Sequence, residues 1–403
     1  MAASGGSVLV LNSGSSSVKF ALVAVATGER LLGGLADKVG TGEAVLRVRR
    51  PAGDAAEPLS DGGRPAVIGR ILDLLTPDAD LIGAGHRVVH GGERFSASVL
   101  VDDDVIAAIR SFAPLAPLQN PADLAGIEAI RAARPELPQV AVFDTAFHHT
   151  MPAGAFRYAV PEEWYTRHGV RRYGFHGTSH RFVSERAAAL LGRPLDELRL
   201  VTAHLGNGCS AAAIRDGVSV DTTMGLTPLE GLVMGTRSGD IDPGVFAYLA
   251  ERTGLSAAQL TETLNTQSGL LGLSGQGNDM RLVQEAAARG DERARLALDV
   301  FVHRLAKAVA GLVTSLDRLD ALIFTGGIGE NSALVRGRVL ARLGFLGLDE
   351  DPEANAGHGR STGGRISRYG PAVALVVPTD DELMIARDTA RLAGARPDAP
   401  ARG

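Results

Sequence analysis

Three stretches of this chain run from an apolar, β-compatible segment straight into glycines: Val8 to Asn12-Ser-Gly14-Ser-Ser-Ser-Val-Lys19, Leu198 to His204-Leu205-Gly206-Asn207-Gly208, and Ala321 to Thr325-Gly-Gly327-Ile328-Gly329-Glu330-Asn331. Glycine removes the Cβ that would hold a ligand away, so backbone N–H groups can point at an anion such as phosphate. One such turn is ordinarily just a turn. Three in one chain, two with Asn and one with three serines and Lys19, point to phosphate. Lys19 suits a phosphate contact, a solvated strand charge being the plain alternative. Arg87 sits between His86 and His90 at the end of a buried-type strand, where its fork fits carboxylate or phosphate, or else a salt bridge within its own domain. Asp144 follows the apolar run 139–143, a place for catalytic groups in open α/β sheets and equally for helix N-caps. His176, with Gly177 beside it and Thr178 and Ser179 placed to cap a helix, reads as an exposed, positioned imidazole. Arg237 is the one cation in the aperiodic stretch 221–244, the mark of a functional loop.

The set suits phosphoryl transfer, which asks the protein for positioning and charge neutralisation more than for covalent chemistry. Neither a Walker A pattern nor GxGxxG occurs, and no Cys/His set has zinc spacing. Cys209, the single cysteine, reads as a packing residue, excludes an intramolecular disulfide and fits a reducing cytosol. The net charge of -5 argues against a nucleic-acid partner, and no apolar run is long enough for a membrane span. At 403 residues the chain suits two domains of about 150 to 200 residues, with a cleft between them.

The elements that must hold these residues follow from periodicity. A hairpin is expected over 8–25, helices over 67–75, 102–109 and 123–133, and a strand over 139–143. Beyond a crossing near Met151-Pro152, a helix is expected over 181–191, a strand-turn-strand around Gly206 and Gly208, and helices over 245–251 and 256–265. A loop over 268–281, helices over 282–289 and 291–316, a strand over 369–378 and a helix over 383–392 complete the chain.

The strings LNSGSSSVKF, GHRVVHGG, FDTAFH, YGFHGTSH, HLGNG, DTTMGLTPLEGLVMGTRSGDIDPG, FTGGIGEN and PTDDELMIARD, in that order from Val8 to Leu392, resemble the acetate kinase family. The resemblance implies an α/β protein of two related ribonuclease H-like (actin-like ATPase) domains with the active site in the cleft between them. The first domain would span 1–148 and be completed by a C-terminal helix at 383–403; the second, nucleotide-binding domain would span 149–382. The implied reaction is reversible, in-line phosphorylation of acetate by ATP to acetyl phosphate and ADP, in a cytoplasmic homodimer using Mg2+ or Mn2+. Carried over by position, Asn12 and Asp381 lie on the metal side. Lys19, His204 to Gly208 (with Leu205, Gly206 and Asn207), Asp279, Met280, Arg281, and Gly327 to Asn331 (with Ile328, Gly329 and Glu330) belong to the nucleotide. Arg87 and Arg237 would hold the acetate carboxylate and the transferring phosphoryl group, His176 would stabilise the transition state, and Asp144 would be the active-site acid. Val89, Leu118, Phe175 and Pro228 would form the methyl pocket.

Two positions depart from the family pattern: Gln119 stands where His is usual, and Asp381 where Glu is usual, so that metal contact runs through water or Glu382 compensates. Propionate kinase shares every motif and differs in pocket volume. A nucleotide-switched binding protein leaves two arginines unexplained, and a non-catalytic dimer leaves the phosphate turns unexplained.

Overall fold

The computed structural model describes residues 6–50, 53–75, 80–117 and 119–394. The chain divides into two compact units, one holding the residues up to Ala146 and those from Asp380 on, the other Phe147–Thr379. Each is built on one sheet. In the first, β1 (Ser7–Ser13), β2 (Ser17–Ala24), β3 (Arg30–Asp37), β4 (Val45–Arg50), β5 (Gly53–Pro58), β6 (Leu81–Val88), β7 (Val99–Leu100) and β8 (Gln139–Phe143) lie in the order β5-β4-β3-β2-β1-β6-β8-β7. In the second, β9 (Arg199–Leu205), β10 (Cys209–Arg215), β11 (Val218–Thr222), β12 (Ala321–Thr325) and β13 (Val373–Val376) lie in the order β11-β10-β9-β12-β13. Three antiparallel strands followed by two parallel ones occur in both, as β3-β2-β1-β6-β8 and as the whole second sheet. The two units are thus related α/β folds.

Alternation along the strands decides what each face of the first sheet meets. Leu9 and Leu11 join Val18, Phe20 and Leu22 in a core with Val67, Ile68 and Ile71 of helix Arg64–Asp73 and Ile130 of helix Asn120–Ala133. Val8 and Val10 face the other way, with Ala21, Val23, Val140 and Val142, and pack on Ile385 and Ala386 of helix Asp381–Gly394. That closing helix lies close because β6 presents glycine to it: a Cβ on Gly85 would sit 2.4 Å from Thr389 Oγ1 and 2.6 Å from Ile385.

Three local expectations change. The stretch 268–281 contains a short helix, Gly269–Ser274, because its apolar Leu270 buries, with Leu271 half-buried beside it, despite the surrounding glycines. The third glycine turn winds on into the helix Gly326–Asn331. Thr178 and Ser179 lie inside helix Gly177–Leu191, and His176 itself takes the N-cap position in the left-handed region, φ 57° and ψ 26°. Leu118 and the tail beyond residue 394 lie outside the described residues.

Candidate functional site

In the first unit, the series that pack under the closing helix run on into the polar residues singled out by sequence. Val8 and Val10 lead to Asn12, Val23 and Ala21 to Lys19, Gly83 and Gly85 to Arg87, Val140 and Val142 to Asp144. Asn12 and Lys19 are direct cross-strand partners and so share that face. Lys19 Nζ lies 2.8 Å from Glu382 Oε1, and Arg30 also pairs with Glu382. Glu382 is therefore engaged by cations. With the Lys19 side chain 60% exposed, such an ion pair is worth about 0–1 kcal/mol.

Arg87 and Asp144 form a bidentate pair, Nε to Oδ1 at 2.8 Å and Nη2 to Oδ2 at 2.5 Å. The salt bridge within the domain and the strand-end carboxylate, two separate readings of the sequence, are one structure. Burial works against the Arg87 charge, but Asp144 opposite it, with Asp381 adding to the effect, holds the guanidinium above its ordinary range. Nη1 takes no part in that pair. The backbone beyond Arg87 is fastened by helix Asn120–Ala133: Val89 N–H donates to Asp123 Oδ2 (3.1 Å), while His90 and the Asn120 amide bond reciprocally. Burial pushes the Asp123 carboxyl well above the usual range. Val89 is buried, and Gln119 takes the N-cap position of that helix.

The first glycine turn is held from its carbonyl side, Arg64 Nη2 donating to Gly14 O (2.8 Å) and Ser15 O (3.2 Å). Ser13 Oγ and Arg64 Nη1 are buried polar atoms without a hydrogen bond among the described residues, as expected of atoms that meet a ligand or water. Asn12 and Asp381 offer hard oxygen donors here. Among the described residues no group of three or more His, Cys, Asp or Glu could cage a metal. The donors fit an ion such as Mg2+, which is carried largely by water and substrate phosphate.

In the second unit, β12 runs parallel to β9 and places Thr325 beside His204. Gly326, at φ 75°, lets the two turns meet, since a Cβ there would lie 2.8 Å from Leu205 O. The His176 and His204 rings stack with centroids 4.4 Å apart. His176 Nδ1 is 2.9 Å from Ser210 Oγ, which also meets His180 Nε2 at 2.8 Å, and His204 Nδ1 is 2.7 Å from Ser179 Oγ. Burial, with His148 and His204 nearby, pushes His180 well below the usual imidazole range. Arg237 Nη1 donates to Pro228 O at 3.2 Å. A Cβ on Gly208 would lie 3.3 Å from the His176 ring and 3.6 Å from Arg237 Nη1, so His176, Gly208 and Arg237 converge. Gly208→Ala puts a methyl group between these cationic and aromatic groups; kcat is expected to fall about 10-fold or more with little change in thermal stability. Steady-state kinetics beside a melting curve reads both.

Asn207 ties the central turn to two loops: its carbonyl accepts from Gly235 N–H (2.9 Å) and its Oδ1 from Asn278 Nδ2 (3.0 Å). Asp279 caps helix Met280–Ala288 by accepting from Arg281 N–H, and the Arg281 guanidinium holds its carboxyl below the usual range. Met280 is buried beneath them, while Arg281 is exposed. Glu330 Oε1 accepts from Gly326 N–H (3.0 Å) and Thr379 N–H (3.3 Å), and Asn331 Nδ2 donates to Gly327 O (2.9 Å). Phe175 is buried with its carbonyl 3.0 Å from His148 Nε2. Cys209 is buried and its thiol pushed up to about 12 by burial, in keeping with a packing residue.

The sequence pattern of the acetokinase family matches residues 7–387. The chain belongs to the acetokinase family. Among its relatives in that family, the acetate kinase of Deinococcus radiodurans is 57% identical over 391 residues, 96% of this chain and 98% of the relative. The acetate kinase of Ectopseudomonas mendocina is 54% identical over 390 residues, again 96% and 98%. A propionate kinase from Francisella tularensis superposes with a TM-score of 0.91 at 46% identity, covering 96% of this chain and all of that one; Porphyromonas gingivalis acetate kinase gives 0.90 at 43%, covering 96% and 99%. Among the described residues, no helix is long and apolar enough to cross a membrane.

Residues that support the turns from behind, Arg64, Ser210 and Arg336, carry no signal in the sequence. Each is an ordinary polar residue with at least one partner distant along the chain: Gly14 for Arg64, His176 for Ser210, Asn355 for Arg336.

Proposed function

We propose that this protein catalyses the reversible transfer of the ATP γ-phosphoryl group to acetate, giving acetyl phosphate and ADP. The observation that supports it is the pairing of two kinds of site residue: backbone-rich glycine turns for phosphates, and guanidinium groups, Arg87 and Arg237, outside those turns. Acetate is already an anion and needs no strong base, so Asp144, held by two hydrogen bonds, acts by fixing the Arg87 fork rather than by removing a proton. Arg87 receives the acetate carboxylate, Arg237 and His176 the transferring phosphoryl group, and the segments at 204–208, 279–281 and 327–331 the nucleotide, with Lys19 on its phosphates. Val89, Leu118, Phe175 and Pro228 set the size of acid accepted. Asn12 and Asp381 would hold Mg2+, which when bound neutralises β- and γ-phosphate charge. The protein acts in the cytoplasm as a homodimer.

Kinship with a propionate kinase of 46% identity favours some use of the longer acid, and one methylene is worth only about 1–3 kcal/mol. Trapping acyl phosphate as hydroxamate, with acetate, propionate and butyrate in parallel, separates the readings. Acetate is expected to give the highest kcat/KM. A lead for propionate reassigns the acid, and no acyl phosphate from any acid refutes the activity.

A further inference from the structure

Among the described residues, Arg336, on helix Ala333–Arg342, is the largest side chain shielded from solvent. An arginine has five N–H donors, and all five are used. Nε donates to Asn355 Oδ1 (2.8 Å), Nη1 to Gly329 O (2.8 Å) and Glu330 O (3.0 Å), and Nη2 to Asn355 O (2.8 Å) and His358 Nδ1 (2.9 Å). None of these acceptors is a carboxylate. The nearest compensation is indirect, Asn355 Nδ2 donating to Glu350 Oε1 at 2.6 Å. Burial lowers the Arg336 guanidinium to about 10, against the opposing pull of Glu350. A buried cation without direct ion pairing is costly and persists only where its geometry is fully satisfied.

Two of the five bonds end on the carbonyls of Gly329 and Glu330, inside the third glycine segment. A peptide plane points its C=O and N–H in opposite directions, so a fork that grips two successive carbonyls fixes two successive peptide planes. The need is greatest where glycines make backbone rotation easy. A flipped peptide in such a segment would turn a carbonyl, in place of an N–H, toward an anion.

We propose that Arg336 is the positioning residue that locks the Gly327–Asn331 segment in its nucleotide-binding conformation by holding the Gly329 and Glu330 carbonyls from behind. The proposal rests on the assignment of that segment to the nucleotide. Asn355 and His358 aim the fork, and His358, itself left-handed at φ 55°, must present an unprotonated Nδ1 to it. Arg336 acts through the segment and not on the substrate.

The test measures both KM values, kcat and melting temperature for Arg336→Lys, Arg336→Gln and His358→Ala, with amide hydrogen exchange over 326–331 in the presence and absence of ATP. Lysine keeps the charge but cannot grip two carbonyls and two further acceptors, so both Arg336 variants are expected to raise KM for ATP about 10-fold or more. KM for acetate should stay within about 2-fold. His358→Ala removes one acceptor and leaves both carbonyl bonds, so a rise of about 3-fold is expected even if the Arg336 variants fail to fold. In the unmodified protein ATP should slow exchange over 326–331; if it does not, the nucleotide assignment and the proposal fall together. If ATP slows exchange there, but the folded variants bind ATP normally or lose both substrates equally, the positioning role alone is refuted.

Discussion

Replacing Arg87 by alanine is expected to lower kcat about 100-fold or more and to destabilise the protein by about 3–5 kcal/mol. The two losses have different origins. Activity is expected to fall because the fork proposed to receive the carboxylate is gone. Stability falls because Asp144, whose side chain is only 2% exposed, loses a partner that supplies two of its hydrogen bonds. An uncompensated buried carboxylate is far more costly than the pair it came from is stabilising. The double variant Arg87→Ala/Asp144→Ala should therefore recover much of the stability and none of the activity. Denaturant unfolding and saturating kinetics on the three variants read both effects. Near-normal turnover in Arg87→Ala would remove Arg87 from the chemistry, and a double variant no more stable than the single would show that the pair is not the source of the stability loss.

Arg237→Ala should also lower kcat about 100-fold or more, with smaller changes in either KM, because its charge is most useful where charge spreads over the transferring phosphoryl oxygens. The convergence of Arg237 Nη1, the His176 ring and the Gly208 backbone supports that role. Arg237→Lys should regain only part of the loss, since a point charge cannot direct a planar set of N–H groups. If Arg237→Ala raised KM for acetate and left kcat unchanged, Arg237 would be a ground-state binding residue instead.

The strand at 139–143, the central strand-turn-strand and the apolar blocks of the long helices were legible in the sequence, because periodicity and glycine placement carry that information locally. The faces of β1, β6 and β8 were not. Val8, Leu9, Val10 and Leu11 are all apolar and all buried, so alternation groups Asn12 with Val8 and Val10 but nothing in the strand says that this face, and not that of Leu9 and Leu11, meets the closing helix. Arg87 and Asp144 each left two readings open, since their union depends on the parallel register that sets Arg87 beside Val142. His176 was legible as a positioned imidazole, but not as a left-handed residue stacked on His204, which needs the fold to bring two turns together. Arg336 in Ala333-Leu-Val-Arg336-Gly reads as a surface helix charge until Asn355 and His358 enclose it.

In the proposed reaction the phosphoryl group passes directly from the nucleotide to an acetate oxygen, with arginines neutralising charge and no protein nucleophile in between. The most direct test is the stereochemical course with ATP made chiral at its γ-phosphorus and acetate as acceptor. A single in-line displacement should give acetyl phosphate with inverted configuration at phosphorus. Retention would mean two displacements and a phosphorylated protein intermediate, and would rule out direct transfer.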